Sequence, residues 1–246
     1  MQQIPSTDAP APPLHHSFVK IKRARHHIAE LEAVFAKYLI ETPPQSSAQL
    51  VVSPEGGWSI NLEFSNVALP DDAGTIFGDA IHNMRTALDL AACECVRSND
   101  KSDKGVYFPF CEKSDGLDKA IKDRHITRAQ PDVVKYIRSL KPYQSGNAAL
   151  RELHDLDVQD KHHGMMPQPT SFASPVIQML DDNDKPLPIP VIIGDPNKPS
   201  DIKIIFPEGS PFAGEEIIPT LYKLVALADS IVSTLASILV AQNVAA

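Results

Sequence analysis

Apolar residues recur at every third or fourth position along several long segments of the chain, with polar residues between them. This spacing places the apolar side chains on one face of an α-helix. The first such segment covers residues 17–41, with Ser17 as its N-cap and Thr42-Pro43-Pro44 as its end. Its apolar positions are Phe18, Ile21, Ile28, Leu31, Phe35 and Leu39.

The same pattern predicts five further helices. Two of them are long and carry the ionisable residues on which a functional site depends, and the last is strongly apolar. Asp71 or Asp72 caps the first of the five. The predicted ranges are 72–98, 115–125, 131–140, 147–163 and 215–242.

Two other regions are typical of β-structure. Apolar and polar residues alternate from Trp58 to Phe64, and the turn residues 54–57 precede them, which predicts a β-hairpin over 48–65. Three short extended runs separated by turns predict a β-rich insertion over 165–210. Together with the helices, these regions predict an α+β protein, in which a bundle of four to five helices carries a small antiparallel sheet.

The length and charge of the chain limit its organisation and its partners. The 246 residues are enough for one large domain, and we predict a single domain over 15–246 after a disordered proline-rich arm over 1–14. The formal net charge of −8 opposes nonspecific binding to nucleic acid. Any RNA contact is therefore expected to come from a local basic patch, such as the one at residues 20–27.

The cysteines and the arm predict a cytoplasmic protein. The arm is polar and unlike a signal peptide, and the odd number of cysteines favours a reducing compartment. Cys93 and Cys95 point to different sides of a helix, so they do not form a metal site with Cys111. The spacing of His154, His162 and His163 is not a zinc signature either. No metal and no cofactor is expected.

The apolar segment at 224–240 has two interpretations. Its only charged residue is Asp229, but a membrane span needs a cleaner run of about twenty residues. We therefore predict a buried C-terminal helix and no membrane partner.

Candidate chemistry lies on the helices predicted over 72–98 and 147–163. His82, Arg85 and Asp89 are spaced i, i+3 and i+7, so they share one helical face. On the other helix, Asp157 and Asp160 project into a sector of leucines. A carboxylate on an apolar stripe must be paired with a cation, be protonated or belong to a functional site. We predict that Arg85 pairs with Asp157 or Asp160 across the two helices.

Such a site has two interpretations. In the first, histidine moves a proton and arginine stabilises a phosphate, which is enough to cleave RNA without a metal. The predicted catalytic residues are His82, Arg85, Asp160 and His162, with Asn83, Asp89, Asp157 and Lys161 in supporting roles. In the second, the same residues form a buried ion-pair network that fixes the helix register.

Four segments resemble, in this order, the signatures of a family of uncharacterised bacterial proteins. Residues 78–89 (GDAIHNMRTALD) resemble the signature GdaiHNLRsALD, and residues 156–162 (LDVQDKH) resemble its DKH signature. Between them, residues 108–110 (FPF) and 140–143 (LKPY) resemble a short strand and a turn of that family. These proteins are similar to HEPN domains, helical units of bacterial toxins and defence systems.

The resemblance implies a soluble intracellular HEPN-like protein. Active HEPN members are metal-independent ribonucleases, and the family signature has a His four to six residues after an Arg. Arg85 has no such His in this chain. From the resemblance as a whole, the implied function is a ribonuclease or RNA-binding component of a bacterial defence or stress system. The alternative is a noncatalytic binding or oligomerisation module. RNA or a nucleotide, and a second copy of the chain, are the expected partners.

Overall fold

A computed structural model describes most of the chain. The turn at 54–57, residues 1–11 of the predicted arm and most of the predicted insertion at 165–210 lie outside the described residues. The described ranges are 12–41, 45–52, 58–65, 68–163, 167–170, 176–177, 191–192 and 203–245.

Within the described ranges, six α-helices account for most of the regular structure. All six helical segments predicted from the sequence are confirmed, with bounds within three residues of the predicted ones. The helices are α1 His15–Glu41, α2 Asp71–Arg97, α3 Leu117–Asp123, α4 Pro131–Ser139, α5 Ala148–His163 and α6 Ile217–Ala245.

The strands form separate antiparallel pairs. Strand β1 (Gln45–Val52) pairs with β2 (Trp58–Ser65). The later strands are two or three residues long and pair as β3 with β6 and β4 with β5. They are β3 Gln168–Thr170, β4 Val176–Ile177, β5 Val191–Ile192 and β6 Lys203–Ile205.

The predicted α+β fold with a small antiparallel sheet is therefore wrong, because the described chain is a predominantly helical protein. A stable sheet needs three or more strands that share an apolar face, and the described strands pair only two at a time. Short apolar runs at 175–206 have β-like composition, but such runs do not by themselves specify a sheet.

The chain divides into two compact units. One consists of residues 1–30, 75–165 and 218–246, and the other of residues 31–74 and 166–217. The first unit contains every predicted site residue. The single domain expected over 15–246 stays a prediction.

In the second unit, a loop closed by backbone hydrogen bonds follows β6. The Phe206 N–H donates to the Glu215 carbonyl at 3.0 Å, and the Gly214 N–H donates to the Phe206 carbonyl at 3.1 Å. The Phe206 ring is fully buried and lies 5.6 Å from the Phe212 ring. These contacts close the segment between β6 and α6.

In the first unit, α1 runs antiparallel to α2. The Leu14 N–H donates to Glu94 Oε1 at 2.6 Å, and Lys20 Nζ donates to Asn83 Oδ1 at 3.1 Å. Residue numbers rise along α1 while they fall along α2, which gives the antiparallel direction. Arg25 on α1 makes an ion pair with Asp229 on α6 at 2.8 Å.

The start of α1 differs from its prediction. The helix begins at His15, and Ser17 is a fully buried residue within it, with no hydrogen-bond partner for its hydroxyl among the described residues. Leu14 is also fully buried, and its backbone is left-handed with a φ of 60°. Glu94 binds its N–H. Residues 12–14, at the end of the predicted disordered arm, are thus part of the packed fold.

Helix α6 has a buried apolar face. By length and composition alone, residues Ile217–Gln242 can cross a membrane. Leu221, Leu224 and Leu235 on this helix are nearly or fully buried within the protein. Burial of each such side chain contributes about 1.5–3 kcal/mol, so this face has a structural role in the bundle. The absence of a membrane partner stays a prediction.

Candidate functional site

Helices α2 and α5 pack against each other in an antiparallel direction and bring the predicted site residues into one seam. Three pairs of residues face each other across it, spaced about one helical turn apart. The residue number rises on α2 as it falls on α5. The facing pairs are Gly78 and Asp160, His82 and Asp157, and Arg85 and His154.

The closest approach of the two helices is at Gly78. A β-carbon added there would lie 2.5 Å from Asp160 Oδ2 and 2.9 Å from Asp160 Cγ. Real β-carbons do not come this close to other atoms, so the carboxylate occupies space that only glycine leaves free. The predicted catalytic Asp160 therefore lies against the α2 backbone, two turns of helix from Arg85.

The middle of the seam contains a buried carboxylate with two partners. His82 Nδ1 lies 3.2 Å from Asp157 Oδ1, and Lys161 Nζ donates to Asp157 Oδ2 at 2.6 Å. The Asp157 side chain is 5% exposed and that of His82 is 50% exposed. The other ring nitrogen of His82 lies 3.3 Å from Thr86 Oγ1. Asp157 thus orients a half-exposed imidazole.

Arg85 has different partners from those predicted. Its Nε donates to His154 Nδ1 at 3.3 Å, and its NH1 lies 2.5 Å from Asp89 Oδ1. The second contact is an ion pair whose angles are not those of a hydrogen bond. The predicted pairing of Arg85 with Asp157 or Asp160 is wrong. In the antiparallel register, Arg85 faces His154, and Asp157 is one turn away opposite His82.

A short irregular segment, residues 106–110, completes the surroundings of Arg85. Asp89 Oδ1 accepts the Phe108 N–H at 2.8 Å, which holds this segment against α2. The Phe110 ring stacks on the His154 ring, with centroids 4.6 Å apart and an interplanar angle of 7°. The Arg85 guanidinium carbon lies 4.6 Å from the centre of the same Phe110 ring, within cation–π range.

His154 is neutral at physiological pH. Burial, together with the nearby charges of Arg85 and Arg151, lowers the pKa of this histidine from 6.5 to about 4. Because Nδ1 accepts the Arg85 proton, the neutral ring carries its own proton on Nε2. His154 therefore acts as a hydrogen-bond donor through Nε2.

These groups line a cleft of about 240 Å³. Of the described residues that line it, two are arginines, four have aromatic or imidazole rings, and none is acidic. The lining residues are Arg85, Tyr107, Phe108, Phe110, Arg124 and His154. We call Arg85, Phe110 and His154 the inner wall, and Tyr107 and Arg124 the outer wall.

The outer wall is more open than the inner one. The Tyr107 side chain is 50% exposed, while its neighbours Val106 and Phe108 are almost completely buried. The guanidinium carbon of Arg124 lies 5.7 Å from the centre of the Tyr107 ring. This arrangement places a flat ring and a cation together at the mouth of the cleft.

The loop before Tyr107 is fixed to the turn after α3. Gly105 has a φ of +78°, and a β-carbon there would lie 3.2 Å from His125 Cδ2. Arg128 NH1 donates to the carbonyls of Ser102 at 2.9 Å and Lys104 at 3.2 Å. These contacts bring Tyr107 close to Arg124, although the two residues lie on different segments.

The remaining predicted site residues lie away from the cleft. Asn83 faces α1 and accepts a hydrogen bond from Lys20 of that helix. Its side-chain amide also donates to the Asp79 carbonyl, one turn earlier on α2, at 2.8 Å. His162 is exposed near the end of α5.

No local pattern in the sequence indicates the outer wall. Tyr107 and Arg124 come together through a loop contact that no helical spacing records. His154 and Phe110 have a weak signal, because His154 lies on the helix predicted over 147–163 and the 108–110 segment is apolar. Only the antiparallel register shows that both meet Arg85.

None of the three cysteines lines the cleft. Cys93, Cys95 and Cys111 are free thiols, and burial raises the pKa of Cys95 to about 12. Within the described ranges, no group of three or more His, Cys, Asp or Glu side chains is arranged to hold a metal ion.

Comparisons with known proteins give no family. No protein-family model matches the chain, and no curated protein and no solved structure is significantly similar to it.

Proposed function

We propose that this protein is an RNA-binding module of HEPN-like type, which binds RNA phosphate at the cleft and does not cleave it. One observation carries the proposal: two arginines, Arg85 and Arg124, line a cleft whose described lining contains no acidic residue. The resemblance at residues 78–89 and 156–162 is the reason to choose RNA among phosphate-bearing ligands.

The donors of the cleft favour an anion rich in acceptor atoms. Arg85, Arg124 and the Nε2–H of His154 all donate hydrogen bonds. The stack on Phe110 and the bond to His154 hold Arg85 in place, so little side-chain entropy is lost when a ligand binds. Arginine suits phosphate because its planar fork matches the phosphate oxygens.

The same geometry favours binding over cleavage. General acid–base catalysis needs a group that titrates near the working pH and lies within reach of the reacting atoms. The pKa of His154 is about 4, and its Nδ1 already accepts from Arg85. His82 is paired with Asp157 one turn away and does not line the cleft.

Fluorescence anisotropy of a labelled single-stranded RNA, measured over a salt series, tests this proposal. Arg124→Gln is the test variant because Arg124 is exposed, and Arg138→Gln is the control because it removes an exposed arginine from α4. We expect wild-type binding to weaken as salt rises. The salt slope of Arg124→Gln should be smaller by about 0.7, the value for one lost phosphate contact on a single strand.

Two results would contradict the proposal. One is no RNA binding by the wild type at low salt, and the other is equal binding by the two arginine variants. A parallel incubation in the presence of a chelator checks for cleavage. RNA cleavage by the wild type that disappears in His82→Ala would support the ribonuclease alternative instead.

A further inference from the structure

We propose that the outer wall stacks one unpaired base on Tyr107, so that the cleft takes a nucleotide of single-stranded RNA and not a duplex. This inference rests on the proposed RNA binding and adds the kind of RNA. It depends on the Tyr107 ring, whereas the proposed function depends on the two cations of the cleft, Arg85 and Arg124.

The first observation is the direction of Tyr107. Val106 is 3% exposed and Phe108 is 1% exposed, whereas Tyr107 between them is 50% exposed. Tyr107 is therefore the residue of this segment whose ring is left in solvent, while the residues on either side of it pack into the protein. A large ring kept half in water at the mouth of a cleft is available to a ligand.

The second observation is the charge beside that ring. Arg124 is exposed and makes no ion pair with any residue that the structure describes. Its distance of 5.7 Å from the Tyr107 ring is near the outer limit for a cation–π contact. The internal attraction is therefore weak, and Arg124 can instead meet the phosphate of a nucleotide whose base lies on Tyr107.

The third observation is that the two residues are positioned before any ligand binds. Gly105 packs against His125, and Arg128 binds the carbonyls of Ser102 and Lys104. These contacts join the loop that carries Tyr107 to the turn that follows Arg124. A site that is formed in advance loses less entropy on binding.

The size of the cleft selects a single small group. Its volume of about 240 Å³ is below the range of about 300–1,000 Å³ that is typical of pockets for larger ligands. One base with its phosphate at the mouth suits this space. The bases of a duplex are stacked on one another and cannot reach a protein ring, whereas those of a single strand can.

The test uses RNA of about ten nucleotides that contains one 2-aminopurine, as a single strand and as a duplex. The fluorescence of this base is quenched when it stacks on an aromatic ring. The variants are Tyr107→Ala, Tyr107→Phe, which keeps the ring, and Tyr222→Ala, which removes another exposed tyrosine. Circular dichroism checks that each variant is folded.

We expect the single strand to bind more tightly than the duplex and its fluorescence to fall on binding. Tyr107→Ala should weaken single-strand binding by about 5- to 160-fold and abolish the quenching. Tyr107→Phe and Tyr222→Ala should behave like the wild type.

Equal binding of both RNAs with no effect of Tyr107→Ala would overturn this inference. The proposed function would still stand in that case if Arg124→Gln kept its reduced salt slope. No binding of either RNA would overturn both. A free mononucleotide that binds as tightly as the single strand would also overturn it, because the ligand would then be a small molecule.

Discussion

The inner and outer walls of the cleft use the same types of side chain for different purposes. Each wall places an arginine beside an aromatic ring. Arg85 on the inner wall is buried and has an ion-pair partner, a hydrogen-bond acceptor and a stacked ring. Arg124 on the outer wall is exposed and has only a distant ring.

This difference predicts that the inner wall stabilises the fold and that the outer wall binds a ligand. A buried cation that loses its partners destabilises the fold, because its desolvation is no longer compensated. An exposed cation without an ion pair contributes little to the fold and keeps its interactions for a ligand. The inner wall is thus expected to hold α2 and α5 together, while the outer wall is expected to bind.

The largest expected change in stability comes from removing Arg85, compared with removing Arg124. Arg85→Ala leaves the partly buried Asp89 carboxylate without its cation, and the free energy of unfolding should fall by about 3–5 kcal/mol. Arg124→Ala should change it by no more than about 0.5 kcal/mol. Urea denaturation followed by circular dichroism measures both. Similar values for the two variants would contradict the distinction between the walls.

A smaller effect is expected where α2 and α5 come closest. Alanine at Gly78 gains about 1 kcal/mol of helix propensity, but its β-carbon must displace the Asp160 carboxylate, which lies 2.5 Å away. The cost of such crowding is about 1–3 kcal/mol. Gly78→Ala should therefore be more stabilising, by about that amount, in an Asp160→Ala background than in the wild type.

A double-mutant cycle of Gly78→Ala and Asp160→Ala measures this coupling from four unfolding free energies. A coupling close to zero would mean that the carboxylate moves aside freely. The seam would then not depend on the close approach at Gly78.

The inner-wall residue His154 can be tested through the pH dependence of the free energy of unfolding. The pKa of His154 is lowered from 6.5, the value of an unperturbed histidine, to about 4 in the fold. The unfolded chain therefore binds a proton at a higher pH than the folded one. Stability from this residue is complete above pH 6.5 and is lost as the pH falls towards about 4. Allowing for partial solvent exposure, the loss is about 1–2 kcal/mol.

His154→Asn should remove this part of the pH dependence, since its amide oxygen can still accept from Arg85 but does not titrate. His26→Gln on the exposed face of α1 serves as a control and should keep it. Unfolding free energies at neutral and mildly acidic pH give the comparison. A wild-type profile that matches that of His154→Asn would contradict a buried neutral histidine.

The helices were predictable because each one records its own buried face in a local pattern. Leu150, Leu153 and Leu156 marked the core side of α5, and all three are fully buried. The pairing of the described strands only two at a time was not predictable in this way, because strand pairing depends on partners that are distant in the sequence.

The site was predictable only to the level of the two helices that form it. Composition favoured an Asp as the partner of Arg85, because charges attract. The antiparallel register instead places His154 opposite Arg85 and Asp157 opposite His82. A shift of one helical turn exchanges these partners, and no local pattern fixes that shift.

A small effect on stability is also expected from Gly105→Ala, in the loop that carries the outer-wall residue Tyr107. The φ of +78° at this position is unfavourable for alanine, and the added β-carbon would lie 3.2 Å from the His125 ring. The fold should lose about 1 kcal/mol. RNA binding should weaken as well, because the loop that carries Tyr107 must move away from Arg124. Denaturation and anisotropy on the same sample separate the two effects. If binding is unchanged while stability falls, the position of Tyr107 does not depend on this contact, and the outer wall is not formed in advance.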